Sequence, residues 1–284
     1  MGTSKRMRIA LRLAYEGSSF HGFARQPSER TVEGVLLQAL VRAGLLESPR
    51  EAGYEAAART DRGVGALEQV VAFDSPRLPS LEELNSLSPP DLTVLAVAVV
   101  PTAFSPRRMA LFRHYRYILP LPEPFDLREA RRAAKLLETA HEFTPFCKPE
   151  SGRHRSCKLF LAGIRTEGGV LKADFLATNF LYHQVRRMMG ALLSVGEGKM
   201  RLDELWGLTR MGGRTRWEPA PPEGLFLARV GYRDLRLHPD LRAAQRFSNY
   251  LSGFPGLRSR EMRRLLEEEF KHLNRGRTGK FRVW

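Results

Sequence analysis

Residues 8–15, RIALRLAY, alternate apolar and polar side chains along their whole length. Side chains on a strand point to opposite faces in turn, so this pattern predicts a strand with one buried face. The next segments constrain what that strand joins. Residues 16–26 form a Gly-containing loop carrying Phe20, His21, Phe23 and Arg25. Thr31 then caps a helix whose Val32, Val35, Leu36, Ala39 and Leu40 recur at helical spacing. Two apolar strand-like runs follow at 54–57 and 69–73, then a short helix at 80–87 capped by Ser80 and a buried strand at 93–100. The order strand–helix–strand–strand–helix–strand calls for a sheet covered by helices.

The rest of the chain repeats this rhythm. Residues 111–119, LFRHYRYIL, read as a strand rich in aromatic and basic side chains. Residues 126–139 read as a helix with a basic outer face. Segments 158–165 and 170–176 pair as a hairpin around Glu167-Gly168-Gly169. Residues 179–195 read as a helix, apolar on one side and carrying Arg186 and Arg187, with a shorter helix at 203–210 and a last strand at 225–232. The expected fold class is α+β: two α/β halves, residues 1–105 and 106–233, whose strands join in one mixed, mainly antiparallel sheet. A basic helical extension, residues 234–284, follows, with amphipathic helices at 236–251 and 259–273 and a basic tail at 275–282. Its charged face suits either contact with RNA or simple solvation of a packing extension.

The charge balance narrows the partner. The chain has 284 residues, 46 Lys and Arg against 31 Asp and Glu, a net charge of +15 and a pI near 10.4. That is the electrostatic signature of a nucleic-acid binder. An anionic membrane surface is the competing partner, but no long basic amphipathic helix with an aromatic face lies near a terminus. No run approaches the ~18 apolar residues of a membrane helix, and residues 1–8 are polar and basic with no apolar signal core behind them, so a cytoplasmic location is expected. Cys147 and Cys157 lack CxxC spacing, and with His141 and His154 they match no standard zinc pattern, so no metal is expected. A phosphate loop and a dinucleotide Gly-rich fingerprint are both missing.

The loop between the strand-like runs concentrates the chemistry. Its sequence ARTDRGVGA places one carboxylate, Asp61, between Arg59 and Arg62, while Gly63 and Gly65 allow a tight backbone path and leave space beside the chain. A single acid held by arginines suits a site for a large polyanion; an ordinary turn with a solvated Asp fits the same residues. Two distant segments complete a constellation: Arg113-His114-Tyr115-Arg116-Tyr117 and the helical segment FLYHQVRRMMG at 180–190.

These segments resemble the motifs of TruA-type tRNA pseudouridine synthases. RTDRGVGA is similar to the family's RTDxGVxA, RHYRY to its RxYRY strand, and FLYHQVRRMMG to its FxxHMVRxxVG helix. The segments AYEGSSFHGFARQ, TVEGVLLQAL, HEFTPF and PPEGLFLARVGY follow in family order, from about residue 8 to residue 233. The resemblance implies two α/β halves with an active-site cleft between them. It also implies isomerisation of uridine to pseudouridine in tRNA without cofactor or metal, and a homodimer in which one tRNA contacts both subunits. The usual targets lie in the lower anticodon arm, at tRNA positions 38–40.

The resemblance also implies residue roles. Asp61 matches the catalytic aspartate, which either attacks C1′ of the target nucleotide or removes a sugar proton. Arg186 matches the arginine that pairs with it. Tyr115 matches the aromatic that stacks on the target base and assists loss of the C5 proton. Arg59 matches the residue that fills the gap left when the base leaves its stack. Arg25, Arg62, Arg113, Arg187 and His183 are expected to face RNA, with the cations holding phosphates. Arg62 stands where many bacterial members have Ala, and Gly65 where many have His, which resembles archaeal and eukaryotic members and points to an archaeal-like chain. The basic charge alone would equally suit a non-catalytic tRNA-binding or RNA-folding protein; the set Asp61, Tyr115 and Arg186 favours the enzyme. A metal nuclease would need several clustered carboxylates where this chain has one.

Overall fold

The computed structural model of the protein describes residues 6–141, 143–147, 157–213 and 217–274. In chain order the elements are β1 (Met7–Tyr15), α1 (Val32–Arg42), β2 (Glu55–Ala56), β3 (Gly65–Ser75), α2 (Leu81–Leu87), β4 (Leu92–Val99) and β5 (Phe112–Pro120). There follow α3 (Leu127–Glu138), β6 (Leu159–Glu167), β7 (Val170–Ala177), α4 (Gln184–Gly196), α5 (Leu202–Met211), β8 (Leu225–Gly231), α6 (Leu241–Ser252) and α7 (Leu257–Asn274). The fold class is α+β, as the alternating patterns predict.

The chain forms two compact units, one built from Met1–Leu111 with Phe226–Trp284 and the other from Phe112–Leu225. The division therefore falls a few residues after the expected boundary at 105. The last strand, expected in the second half, is carried almost entirely by the first unit, and so is the C-terminal extension. The physical reason is pairing: Phe226 and Leu227 lie in parallel register with Gly65 and Ala66 of β3, and both are fully buried.

In the first unit β1 runs antiparallel between β3 and β4, and the short β2 adds to β3. One expectation fails here. The strand β1 has no solvent face: Arg8 and Arg12, its polar positions, are buried with the rest. Arg8 donates to the Phe104 and Gly53 carbonyls and to Asp74, its cross-strand neighbour on β3. Arg12 makes a two-point ion pair with Glu269 of α7, at 2.8 Å on both nitrogens, and donates to the Leu237 carbonyl at 3.0 Å. Two arginines on the polar side of an alternating strand look solvated in sequence; acceptors from distant parts of the chain allow them to be buried. Glu269 thus shows how α7 docks, while α6 packs on β4 and α2, with Arg246 donating to Asn85 and to the Ser88 carbonyl. The tail at 275–282 lies outside the described residues.

The second unit is built on an antiparallel sheet in the order β5–β7–β6. The hairpin turns at Gly168 and Gly169, both at positive φ. Helix α3 starts at its Asp126 cap and buries Ala130, Ala133, Ala134 and Leu137, packing on β6, α4 and α5. Small residues on the buried face let the helix approach the sheet closely. Helix α4 begins five residues later than its apolar pattern predicts. His183 adopts a left-handed conformation, φ 62°, just before it, so residues 180–183 approach as extended and turn backbone. Among the described residues no helix is long and apolar enough to cross a membrane.

Candidate active site

Asp61 lies in the first unit, on the loop that leads into β3. The loop is held from below by side chains sequence reasoning passed over. Tyr15, at the end of β1, sits fully buried with its hydroxyl 2.8 Å from the Thr60 hydroxyl. Burial pushes the Tyr15 phenol well above its ordinary value, against the hydrogen bond from Thr60, so it stays protonated. The Gln69 amide, wholly buried on β3, donates to the Ala58 carbonyl at 2.7 Å and accepts from the Ala58 amide at 3.2 Å. Phe23 donates to the Thr60 carbonyl at 3.0 Å, and Gly63 donates to the Phe20 carbonyl at 3.3 Å. Backbone bonds on both sides of Asp61 fix where it emerges, and the Val64 amide closes the turn onto the Asp61 carbonyl at 3.1 Å.

The polar side chains at the rim of this loop divide by exposure. Asp61 is half-buried, whereas Arg59 and Arg62 are exposed. Arg25 is exposed too, with its guanidinium 3.7 Å from Glu33. These cations stand in solvent around one carboxylate, which is the arrangement a polyanion needs.

The tight backbone path expected of the loop glycines is taken at Gly63. Gly63 takes a left-handed φ of 79°, which only glycine adopts without cost. Its carbonyl accepts from the guanidinium of Arg258 on α7, and the same guanidinium pairs with buried Glu16. At Gly65 a side chain would meet the Tyr15 carbonyl at 3.1 Å and the Met262 sulfur at 3.4 Å. The end of β1 and α7 thus take up the space beside Gly65. Arg258 escapes sequence reasoning because it lies 195 residues from Gly63, in an extension whose helices read as generic basic amphipaths.

Tyr115, Arg186, Arg113, Arg187 and His183 all lie in the second unit. Tyr115 is buried on β5, with its ring edge-on to Phe180 at 5.3 Å between centroids. In β5 the alternation puts Tyr115 and Tyr117 on one face and His114 and Arg116 on the other. Tyr117 donates to the Ala220 carbonyl at 3.2 Å, and Arg186 Nε donates to the same oxygen at 2.9 Å. The Ala220 amide returns a bond to the Arg186 carbonyl at 2.9 Å. One carbonyl thus ties the strand of Tyr115 to the helix of Arg186. Arg187 is half-buried, and its carbonyl accepts from the Trp217 indole at 2.8 Å. Arg113 is buried and donates to the Thr178 carbonyl at 2.5 Å. The His183 ring lies 4.1 Å from that of Tyr182.

Behind β5 lies a charged cluster that sequence reasoning missed. Asp174 of β7 is almost fully buried and accepts from His114 at 2.7 Å, Arg116 at 2.7 Å and Arg165 at 2.6 Å. Burial of the carboxyl works against ionisation, but the His114 hydrogen bond and the Arg116 charge outweigh it and hold Asp174 far below the usual carboxylate range. The cross-strand register Arg116↔Asp174↔Gly163 puts the acid at the centre of the three strands. A lone Asp in an apolar strand, flanked by Ala173 and Phe175, was the available signal.

Metal ligation finds no support in the described side chains: no three His, Cys, Asp or Glu residues among them gather to hold an ion. His154 lies outside the described residues. Cys157 is an unbridged thiol that donates to the Asn179 carbonyl at 3.0 Å and accepts from the buried Gln184 amide. Burial raises it to about 11, so it is protonated at neutral pH and a poor ligand.

Comparison with known proteins supplies the family. The family model for tRNA pseudouridine synthase matches residues 133–233. The tRNA pseudouridine synthase A of Methanothermobacter thermautotrophicus is 38% identical over 265 residues, covering 93% of this chain and 90% of the relative. That of Methanosarcina mazei is 38% identical over 272 residues, covering 94% of this chain and the whole of the relative. That of Thermococcus kodakarensis is 39% identical over 238 residues, 82% of this chain and 88% of the relative. With such identity running through both units and the extension, the chain belongs to the TruA-type tRNA pseudouridine synthases, isomerases that convert uridine to pseudouridine in tRNA.

Proposed function

We propose that the protein isomerises uridines of the tRNA anticodon stem-loop, at positions 38–40, with Asp61 as the catalytic carboxylate. The observation that carries this reading is the setting of Asp61. It is the one acid in a loop whose backbone is fixed on either side of it by Tyr15–Thr60, Gln69 and Phe20, and exposed Arg59 and Arg62 flank it. A fixed backbone aims the carboxylate without reorganisation during reaction. Solvated arginines beside it are free to exchange water for phosphate at little cost.

The chemistry follows from the isomerisation. The N1–C1′ bond breaks, the uracil turns, C5 bonds to C1′, the proton on C5 leaves and N1 takes up a proton. Asp61 starts this either by attacking C1′, forming a sugar ester that the turned base displaces, or by removing a sugar proton. Both routes require it ionised, and Arg186 is the cation proposed to keep it so. Tyr115 is proposed to stack on the turned base and to assist loss of the C5 proton. Arg59 fills the gap in the tRNA stack once the target is out, which offsets part of the few kcal/mol that extrusion costs. Arg25, Arg62, Arg187 and His183 are proposed to contact the anticodon arm, buried Arg113 to act from behind through the Thr178 carbonyl, and the active form is proposed to be a homodimer.

The test is tritium release from tRNA labelled at uridine C5, with sequencing of the product for pseudouridine. Release with pseudouridine at positions 38–40 supports the reading. Release with pseudouridine elsewhere in tRNA removes the anticodon assignment alone.

A further inference from the structure

We propose that an open groove between α3 and α5, within the second unit, is an additional tRNA-binding surface that grips the sugar–phosphate backbone through α3 and stacks a base or ribose on Trp206. The proposal rests on tRNA being the substrate. It concerns residues outside the three motifs and outside the loop of Asp61.

The groove measures about 750 Å³ and carries Arg128, Arg131, Arg132 and Lys135 along one wall. These four sit at i, i+3, i+4 and i+7, so they form a single stripe on α3, opposite the buried stripe of Ala130, Ala133, Ala134 and Leu137. All four are exposed. At 1.5 Å per residue the stripe is about 10 Å long, enough to face more than one phosphate. The other wall is α5, whose Trp206 leaves half of its surface in solvent. A single exposed apolar side chain is common; an indole facing a row of cations is the pairing that single-stranded nucleic acid uses, a flat stacking platform beside charges that track the backbone.

The acids nearby do not cancel the stripe. Arg132 pairs with Glu129, and Lys135 keeps its ammonium in solvent while pairing with Glu138, whose carboxylate is mostly buried and also accepts from the Ala162 amide. Asp203 lines the groove but is taken by Arg201, at 3.0 and 2.6 Å. The exposed Arg132–Glu129 and Arg201–Asp203 pairs are weak and give way to a phosphate. Among the groove's lining residues four cations face one carboxylate. A second copy of the chain docked here about a two-fold axis would set the same cations against themselves, so RNA is the occupant that the charge favours.

The experiment measures tRNA binding by the full chain across a series of KCl concentrations. The variants are Arg128→Gln with Arg132→Gln together and, separately, Trp206→Ala, each with its melting temperature and oligomeric state recorded. The double variant should bind tRNA about tenfold more weakly near physiological salt, with the slope of log affinity against log salt reduced by about 2, close to one per lost phosphate contact. Trp206→Ala should weaken binding several-fold with the slope unchanged. Both should keep the wild-type rate of tritium release at saturating tRNA. Wild-type affinity and slope in both variants would overturn the proposal, as would a changed oligomeric state with unchanged tRNA affinity per subunit, which would give the face to a second copy. Failure of the wild type to release tritium would instead count against the catalytic reading and leave these binding curves interpretable.

Discussion

Arg258, near the start of α7, donates its guanidinium to the carbonyl of Gly63, two residues beyond Asp61 in the loop. The same side chain neutralises Glu16, which would otherwise be a carboxylate buried at the end of β1. The C-terminal extension thus reaches the loop of Asp61 from behind.

Arg258→Ala removes both contacts and leaves Glu16 buried without its cation. Loss of one partner of a buried ion pair costs about 3–5 kcal/mol, so the melting temperature should fall clearly. The turnover number should fall as well, with tRNA affinity close to wild type, because Arg258 holds the loop and does not touch RNA. Arg258→Lys, which keeps the charge but not the fork, should recover most of the stability and part of the turnover. Thermal melting and single-turnover tritium release measure these effects; wild-type turnover in Arg258→Ala would mean that the loop holds its shape without α7.

The Tyr15–Thr60 contact makes a finer test of the same loop. Tyr15→Phe leaves the Thr60 hydroxyl buried without that partner, which costs about 1–3 kcal/mol. Thr60→Val in addition should add little, since the group left unsatisfied is then gone. Urea unfolding of the two single variants and the double variant gives the coupling; simple additivity would show that the two hydroxyls act independently.

Asp174 predicts an acid-sensitive second unit. Its folded value is held well below that of an unfolded Asp, so the folded state binds fewer protons there. Its contribution is therefore complete above about pH 4 and is lost as the pH falls below that toward the folded value. Asp174→Asn should lower stability at neutral pH by about 3–5 kcal/mol, because Arg116 and Arg165 stay behind without their anion. It should also lose the part of the acid-induced fall in melting temperature that the wild type shows below about pH 4. Parallel curves for the two proteins at low pH would contradict the assignment.

Glu269 supplies a separate test of the docking of α7. Glu269→Ala strands Arg12 in the interior of β1 and should destabilise by about 3–5 kcal/mol; urea unfolding against Glu268→Ala, whose carboxylate pairs with exposed Arg264, gives the contrast. Equal, small losses in both variants would mean that Arg12 finds other acceptors.

Local pattern was enough to read most elements, because alternation and helical spacing are short-range. The α+β class, the Thr31 and Ser80 caps and the hairpin at Gly168-Gly169 all follow from neighbours in sequence. What could not be read depends on contacts made across the chain. Arg8 and Arg12 look like the solvent side of β1, and acceptors from distant parts of the chain, Asp74 and Glu269 with several carbonyls, explain their burial. The start of α4 is displaced by the left-handed backbone of His183, which no periodicity reports. Gly65 reads as leaving space beside the chain because Met262, which with the Tyr15 carbonyl borders it, lies far along the sequence. The motif residues themselves were legible by resemblance, whereas the groups that hold them, Gln69, Arg258 and Asp174, carry no motif.

The central claim is that Asp61 performs the covalent or proton-transfer step. Its most direct test is tritium release from C5-labelled tRNA by wild type and Asp61→Asn, with tRNA affinity measured on the same preparations. The account predicts release by the wild type, none above background by Asp61→Asn, and tRNA affinity within a few-fold of wild type in the variant. Tritium release by Asp61→Asn at a rate near wild type would contradict it.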